Sequence, residues 1–201
     1  MAGGLEDRQI DLLKELGNIG MGHAASSLSL LLGEDRVEML VPEVSVVPLK
    51  DVADNMGGPE KRVAGIYVKV RGDLILHIVF MFPVESALAL VSALTAGRLT
   101  KLDELGYSAV LEVGNILTSG YLNALAALLE MTLIPLPPEM AVDLTEAILG
   151  AILAESRVAE DYIVMVKTSF KTGKSKIEGF LTIIPDEKSF EAVYNKFLKG
   201  V

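Results

Sequence analysis

A short polar motif occurs twice in the chain and constrains its fold more than any other feature. Residues 11–19 read DLLKELGNI, and residues 108–116 read SAVLEVGNI. The matching positions are Asp11, Glu15, Gly17, Asn18 and Ile19 in the first copy and Ser108, Glu112, Gly114, Asn115 and Ile116 in the second. Each copy continues into an Ala- and Leu-rich segment and then reaches a Pro-Glu pair, at Pro42 and Pro138. Self-similarity of this kind predicts two related structural units in one chain.

The remainder of each half repeats the same order of elements more loosely. Apolar runs around a turn predict two β-hairpins, with strands at 63–71 and 73–82, and at 162–170 and 176–184. A proline ends each hairpin, and we expect a short helix after it, at 84–95 and at 186–198. The pattern also predicts strands at 36–48 and 132–143, a helix at 144–155 and a loop at 50–62.

Neither half has enough strands for a stable sheet of its own, so we expect the two halves to share one sheet. The predicted class is α/β (α+β) with a pseudo-two-fold internal duplication. Two α/β halves would share a continuous, mainly antiparallel sheet that carries two long, exposed motif helices. Residues 1–201 would form a single domain, with a first repeat at about 6–98 and a second at about 103–201.

Composition and charge disfavour several classes of function. The formal net charge of −9 argues against binding to nucleic acid or to anionic membranes. The chain has no cysteine, which removes disulfides, thiol nucleophiles and thiolate metal sites. The acidic N-terminus does not resemble a signal peptide, and Pro83 and Glu85 interrupt the densest apolar stretch, residues 74–96. We therefore expect a cytoplasmic protein that does not insert into a membrane.

The polar residues of each motif copy fall on one narrow stripe of a helix, because positions i, i+4 and i+7 share a face. The first stripe is Asp11, Glu15 and Asn18, and the second stripe is Ser108, Glu112 and Asn115. Apolar neighbours supply the opposite side, so both stripes should face solvent or a partner. Gly-Asn is unfavourable within a helix, yet it recurs, and its glycine would leave room for a partner's backbone. A binding or catalytic role explains this recurrence; a merely solvated helix face is the alternative.

Other candidate residues favour structural roles. His77 lies in an apolar strand and is expected in the core or on a sheet face, whereas His23 borders the first motif. Neither has metal-site spacing, so no metal site is predicted. Gly17, Gly20 and Gly22 do not form a phosphate-binding loop, because no strand precedes them and no Lys-Ser/Thr pair follows.

The pattern (Asp or Ser)-x-x-x-Glu-x-x-Asn, followed some two dozen residues later by proline, resembles the signature of the CheC/CheX/FliY family of phosphatases. The second copy, with Pro138, matches this spacing, and in the first copy only Pro42 is displaced, by one position. The resemblance covers essentially the whole chain. Two motifs in a chain of this length are most similar to the CheC branch.

This resemblance implies a phosphatase that hydrolyses the aspartyl phosphate of the response regulator CheY. Asn18 and Asn115 would enter the CheY site and orient the attacking water, which suits an amide because it both donates and accepts hydrogen bonds. Glu15 and Glu112 would contact a CheY lysine. The positions that would support or shape the docking surface are Asp11, Ser108, Pro42 and Pro138.

The resemblance also implies partners and cofactors. The chain would bind no cofactor or metal itself, with Mg²⁺ held by CheY, and would act as a monomer. Phosphorylated CheY and CheD, a receptor deamidase that CheC proteins bind, are the expected partners. Two other functions stay open: a non-catalytic adaptor for CheD, and a CheY-phosphate binding module like the flagellar switch proteins, which share this fold.

Overall fold

The fold is a single antiparallel sheet with helices on both faces, and the two long motif helices lie on the same face. The computed structural model describes residues 7–32, 37–39, 43–156, 162–172, 175–186, 188–189 and 192. The helices in these residues are α1 (Asp7–Leu32), α2 (Val52–Asn55), α3 (Val84–Leu94), α4 (Glu104–Leu129) and α5 (Thr145–Ser156). The strands are β1 (Val37–Met39), β2 (Glu43–Pro48), β3 (Arg62–Gly72), β4 (Leu76–Pro83), β5 (Leu133–Pro135), β6 (Glu139–Leu144), β7 (Tyr162–Thr172) and β8 (Ser175–Pro185).

The sheet joins the two halves of the chain by exchanging strands between them. Its order is β1–β7–β8–β4–β3–β5, with β2 also paired to β7 and β6 also paired to β3. The hairpins β3–β4 and β7–β8 meet at the centre through β4 and β8. Each hairpin is flanked by strands from the other half, so neither half can complete its sheet alone. The expected shared antiparallel sheet is confirmed, while the repeat limits at 6–98 and 103–201 stay predictions.

The central strand β4 is buried along its whole length. Phe80 and Phe82 belong to the core beneath α1, α3 and α4, whereas Val79 and Met81 belong to the core beneath α2 and α5. Successive side chains of a strand point to opposite faces, so a strand covered on both sides reads as an unbroken apolar run. The apolar stretch at 74–96 is thus a buried strand followed by α3. Within the described residues, no helix combines the length and hydropathy needed to cross a membrane.

Several element predictions need correction. The segment 50–62 is not simply a loop: a 3₁₀ turn at Leu49–Asp51 leads into α2. Val52 and Met56 are 0% and 1% exposed, so burial of these two side chains stabilises a helical turn in a polar, Gly-rich stretch. The strands predicted at 36–48 and 132–143 are each split in two. Most of the helix predicted at 186–198 lies outside the described residues.

The two motif helices match in length and pack closely on each other. α1 and α4 each have 26 residues. A Cβ atom at Gly120 would lie 2.8 Å from Cα of Ala24, and one at Gly20 would overlap the Tyr121 ring. Since real Cβ contacts are not this short, the glycines permit a helix crossing that larger residues would block. The Asp103 carboxylate caps α4 by accepting a 3.1 Å hydrogen bond from the Gly106 N–H.

His77 is a core residue, one of the two positions that its apolar strand predicted. It lies on the face of the sheet opposite α1 and α4. It is 2% exposed, and a 2.7 Å hydrogen bond joins its Nδ1 to the Tyr67 hydroxyl. Burial and the nearby Lys69 ammonium lower the pKa of His77 below 6.5. Burial, with the carboxylates of Glu155 and Glu139, raises the pKa of Tyr67 to about 12. Both side chains are therefore neutral in the folded protein near pH 7.

Lowering the pH from about 7 to 5 should destabilise the protein partly through His77. The unfolded chain binds a proton at a higher pH than the buried imidazole does. This contribution to stability is therefore complete above the ordinary pKa of 6.5 and is lost as the pH falls through the folded pKa. The slope from this group is at most about 1.4 kcal/mol per pH unit. Urea unfolding across this range should give a flatter profile for His77→Gln than for wild type. An unchanged slope in His77→Gln would contradict the prediction.

Candidate functional site

Both motif stripes lie on exposed faces of long helices. All six of their side chains are exposed: Asp11, Glu15 and Asn18 on α1, and Ser108, Glu112 and Asn115 on α4. The opposite sides of the helices are buried, for example at Ala24 on α1 and Val113 on α4, both 0% exposed. The orientation expected from the i, i+4, i+7 spacing is confirmed. The helices rest on the core and hold each stripe on a convex surface.

The glycine of the second motif has a different role from the one its sequence suggests. Gly114 lies on the buried side of α4, and a Cβ atom there would lie 2.6 Å from Cγ2 of Ile66 on β3. The residue therefore lets α4 approach the sheet rather than letting a partner's backbone approach the stripe. The prediction of room for a partner at this glycine is wrong. Asn115 follows directly and points away from the sheet because its position is one residue further round the helix.

The supporting positions differ in what they can offer a partner. The Ser108 hydroxyl donates a 3.0 Å hydrogen bond to the Glu104 carbonyl of its own helix, as helical serines often do. Asp11, at the matching position of α1, presents an exposed carboxylate instead. Pro138 is half-buried in the connection between β5 and β6, and Pro42 lies outside the described residues. The two stripes therefore share their Glu and Asn but not the chemistry of their first position.

One residue beside the second stripe was missed by sequence reasoning. Leu105, in the first turn of α4, is 65% exposed. It lies one turn before Ser108, so it extends the exposed face of the second stripe towards the helix N-terminus. The matching position on α1 is Arg8. The sequence signal that could have identified Leu105 is an apolar residue on the polar side of an amphipathic helix.

A concave site lies away from the stripes. A cavity of about 520 Å³ opens on the opposite face of the sheet, between β3, α5 and the β5–β6 connection, and includes no stripe residue. An ion pair at its wall joins Lys69 Nζ to Glu155 Oε1 at 2.8 Å. Enzymes usually enclose small substrates in such concave sites. The convex stripes are suited instead to a macromolecular partner that brings its own pocket.

The chemistry available on the stripes is that of positioning. Each pairs a carboxylate with a neutral amide, without a serine, cysteine or histidine arranged as a nucleophile–base pair. In the described part of the chain, no group of three or more His, Cys, Asp or Glu side chains could hold a metal ion. An amide can accept a hydrogen bond from one group and donate one to another. The carboxylate can form a charge-assisted contact with a cation.

Comparison with known proteins places these segments in a family. The CheC-like family model matches residues 9–46 and 105–140, which contain the two motif copies. The chain is also 31% identical, over 198 residues, to the CheY-P phosphatase CheC of Bacillus subtilis, covering 95% of this chain and 94% of that protein. The chain belongs to the CheC-like family. The predicted resemblance is therefore confirmed. The similarity extends over nearly the whole CheC-like chain and is not limited to the two motifs.

Solved structures agree with the fold of this CheC-like chain. FliY of Thermotoga maritima superposes with a TM-score of 0.74 at 21% identity, covering 98% of each chain. The CheX–CheY–BeF₃–Mg²⁺ complex of Borrelia burgdorferi contains a chain that superposes with a TM-score of 0.55 at 18% identity, covering 84% of this chain and 96% of that one. At these identities the likeness shows the fold alone.

Proposed function

We propose that this CheC-like chain is a phosphatase that hydrolyses the aspartyl phosphate of a CheY-type response regulator. The observation that carries the proposal is the pair of matched Glu/Asn stripes, exposed on convex helix faces. An amide on a convex helix face can take part in hydrolysis only if its partner supplies the pocket, the phosphoryl group and the metal ion. Phosphorylated CheY would supply all three, including the Mg²⁺, and the CheC-like chain would need no cofactor of its own.

The named relatives support this substrate. The Bacillus subtilis relative is a CheY-P phosphatase. The Borrelia burgdorferi structure of similar fold is a complex of CheX with CheY, beryllofluoride and Mg²⁺. Beryllofluoride has the geometry of a phosphoryl group, so that complex represents a CheX bound to an activated response regulator. A CheY-type partner would place the activity in the cytoplasm.

In the proposed mechanism, Asn18 or Asn115 enters the CheY site and aligns a water molecule with the breaking bond. The water oxygen attacks phosphorus while the bond between phosphorus and the aspartyl oxygen breaks. The products are inorganic phosphate and the free aspartate carboxylate. The transition state of phosphoryl transfer is loose, so positioning and electrostatics account for most of the catalysis. A neutral amide suits this role because it does not repel the phosphoryl oxygens.

Glu15 and Glu112 set the register of docking in this proposal. Each lies one turn before its asparagine on the same exposed face. A contact with a CheY lysine near the phosphate would hold the asparagine at the correct depth. Because both side chains project from a helix packed on the core, the separation between contact and amide is fixed before CheY binds. Asp11 and Ser108 would border this contact without taking part in the reaction.

The direct test is the decay of phosphorylated CheY in the presence of the purified chain. We expect faster decay than for phosphorylated CheY alone, in proportion to the concentration of the chain. Glu146→Lys, a charge reversal at an exposed residue of α5 on the other face of the sheet, should behave like wild type. The assay should be run with CheD absent and present, because CheD is the second expected partner. Unchanged decay in both conditions would exclude the phosphatase and leave an adaptor or a CheY-phosphate binding module.

A further inference from the structure

The centre of the sheet fixes how the two motif helices are related. β4 and β8 pair antiparallel, with Leu76 opposite Pro185 and Met81 opposite Phe180. Matching strands of the two halves lie at equal distances on either side of this pair: β7 corresponds to β3, and β1 corresponds to β5. The helices α1 and α4 both cover the same face of the sheet. A half-turn about an axis normal to the sheet therefore relates the matching elements. Such a rotation reverses direction within the plane, so α1 and α4 run antiparallel.

The helices cross between the motifs and not at them. The helix backbones approach closely at Ala24 and Gly120, where an added Cβ atom would lie 2.8 Å from Cα of Ala24. Asn18 precedes Ala24 by six residues, and Asn115 precedes Gly120 by five. In antiparallel helices these positions lie on opposite sides of the crossing. With a rise of about 1.5 Å per residue, the two asparagines are separated by ~16 Å along the helix pair.

Each stripe also faces away from the partner helix. At about 100° per residue, the first stripe is centred roughly half a turn round α1 from Gly20 and Ala24, which touch α4. The second stripe is likewise roughly half a turn round α4 from Gly120 and Tyr121, which touch α1. The stripes therefore look outward from the two opposite flanks of the helix pair. We call these the first flank, with Glu15 and Asn18, and the second flank, with Glu112 and Asn115.

A response regulator is large enough that the directions of the two stripes determine whether two partners can bind at once. A domain of about 100 residues has a radius of gyration of about 13 Å and is roughly 34 Å across. Two such domains approaching from the same direction, with contact points ~16 Å apart along the helices, would overlap. Approaching from opposite flanks, they are kept apart by two packed helices, whose axes are about 8–10 Å from each other. Each partner then extends away from the other.

We infer that the chain holds two phosphorylated CheY-type molecules at once, one on each flank, and that the two flanks act independently. This inference rests on the proposed phosphatase function. It goes beyond the presence of two motifs, because two motifs close together on one surface would have to take turns. Independence follows because neither docked partner covers the other stripe and both helices are fixed on a common core.

The number of bound partners tests the inference directly. The probe is CheY loaded with beryllofluoride and Mg²⁺, titrated to saturation and measured by sedimentation velocity. Wild type and the control Glu146→Lys should bind two CheY molecules per chain. Glu15→Lys and Glu112→Lys, each reversing the docking charge on one flank, should bind one, and the double variant should bind none. Saturation of wild type at one CheY per chain would overturn the inference.

Turnover gives a second measurement that separates this inference from the proposed function. At saturating phosphorylated CheY, independent flanks predict that the kcat of wild type equals the sum of the kcat values of Glu15→Lys and Glu112→Lys. Flanks that exclude each other predict a wild-type kcat no greater than the larger of the two. Accelerated decay with only one CheY bound would leave the phosphatase standing and refute simultaneous occupancy. If wild type neither bound CheY nor accelerated its dephosphorylation, both the inference and the proposed phosphatase function would be refuted.

Discussion

Replacing Asn18 and Asn115 together by alanine should reduce the dephosphorylation of CheY-phosphate to the rate seen without the chain. The amides are the groups proposed to align the attacking water, and alanine can neither donate nor accept the hydrogen bonds involved. Loss of alignment at a positioned nucleophile costs ~10²-fold in rate. Each single variant should retain the activity of the unchanged flank. The measurement is the decay of phosphorylated CheY at several concentrations of each variant, so that kcat and KM are obtained separately.

The structure makes this result interpretable as chemistry. Both asparagines are exposed, so their replacement should change the free energy of unfolding by no more than about 0.5 kcal/mol. Asn123→Ala, at an exposed asparagine further along α4, is the matched control and should leave kcat unchanged. A double variant that still accelerates decay would show that the amides do not align the water. The loss should appear in kcat and not in KM alone, since Glu15 and Glu112 remain to dock CheY.

The motif stripes could be predicted from sequence because their geometry is local. The spacing of Asp11, Glu15 and Asn18 fixes one helical face whatever the rest of the chain does, and the structure exposes all three. The same reasoning placed the two hairpins and α5, whose patterns lie within short segments. Turn residues and apolar periodicity contain enough information for elements of this kind.

The exchange of strands between halves could not be predicted in the same way. β2 pairs with β7, more than a hundred residues away, with Ser45 opposite Met165. Nothing in the sequence of β2 distinguishes β7 from β3, the corresponding strand of the other hairpin, since both strands are rich in apolar, β-branched residues. The choice depends on how the two hairpins meet at β4 and β8, which is a property of the assembled core. Sequence reasoning therefore gave one shared sheet but not its order.

Glycines show a second limit of sequence reasoning. Gly114 stands beside the stripe in sequence, and a role in partner approach was a reasonable hypothesis. In the structure it contacts Ile66 beneath the helix. A glycine in a helix signals that some neighbour is close but does not say on which side, because it has no side chain whose polarity would indicate the environment. Leu105 shows the converse: its exposure follows from the position of the first turn of α4 and contradicts its apolar character.

A glycine-to-alanine substitution should have opposite effects on stability at Gly120 and at Gly150. At Gly120 the added methyl group would meet the backbone of Ala24, with Cα at 2.8 Å and N at 3.2 Å. Backbone atoms cannot rotate away, so the helices must separate, and we expect a loss of about 1–3 kcal/mol in the free energy of unfolding. At Gly150 on α5 nothing lies within 4 Å. There alanine should stabilise the protein by up to about 1 kcal/mol, because glycine is the poorer helix former.

Urea unfolding of both variants, compared at equal m values, measures this difference, and Gly22→Ala provides a further control. Gly22 lies on α1, close in sequence to the crossing, yet has nothing within 4 Å of its added methyl group. It should therefore follow Gly150 and not Gly120. If Gly120→Ala were as stable as these controls, the helices would tolerate a wider crossing and the close approach would not be required. If it alone is destabilised, glycine is needed at this crossing because the two motif helices must touch, and the placement of the two flanks depends on that contact.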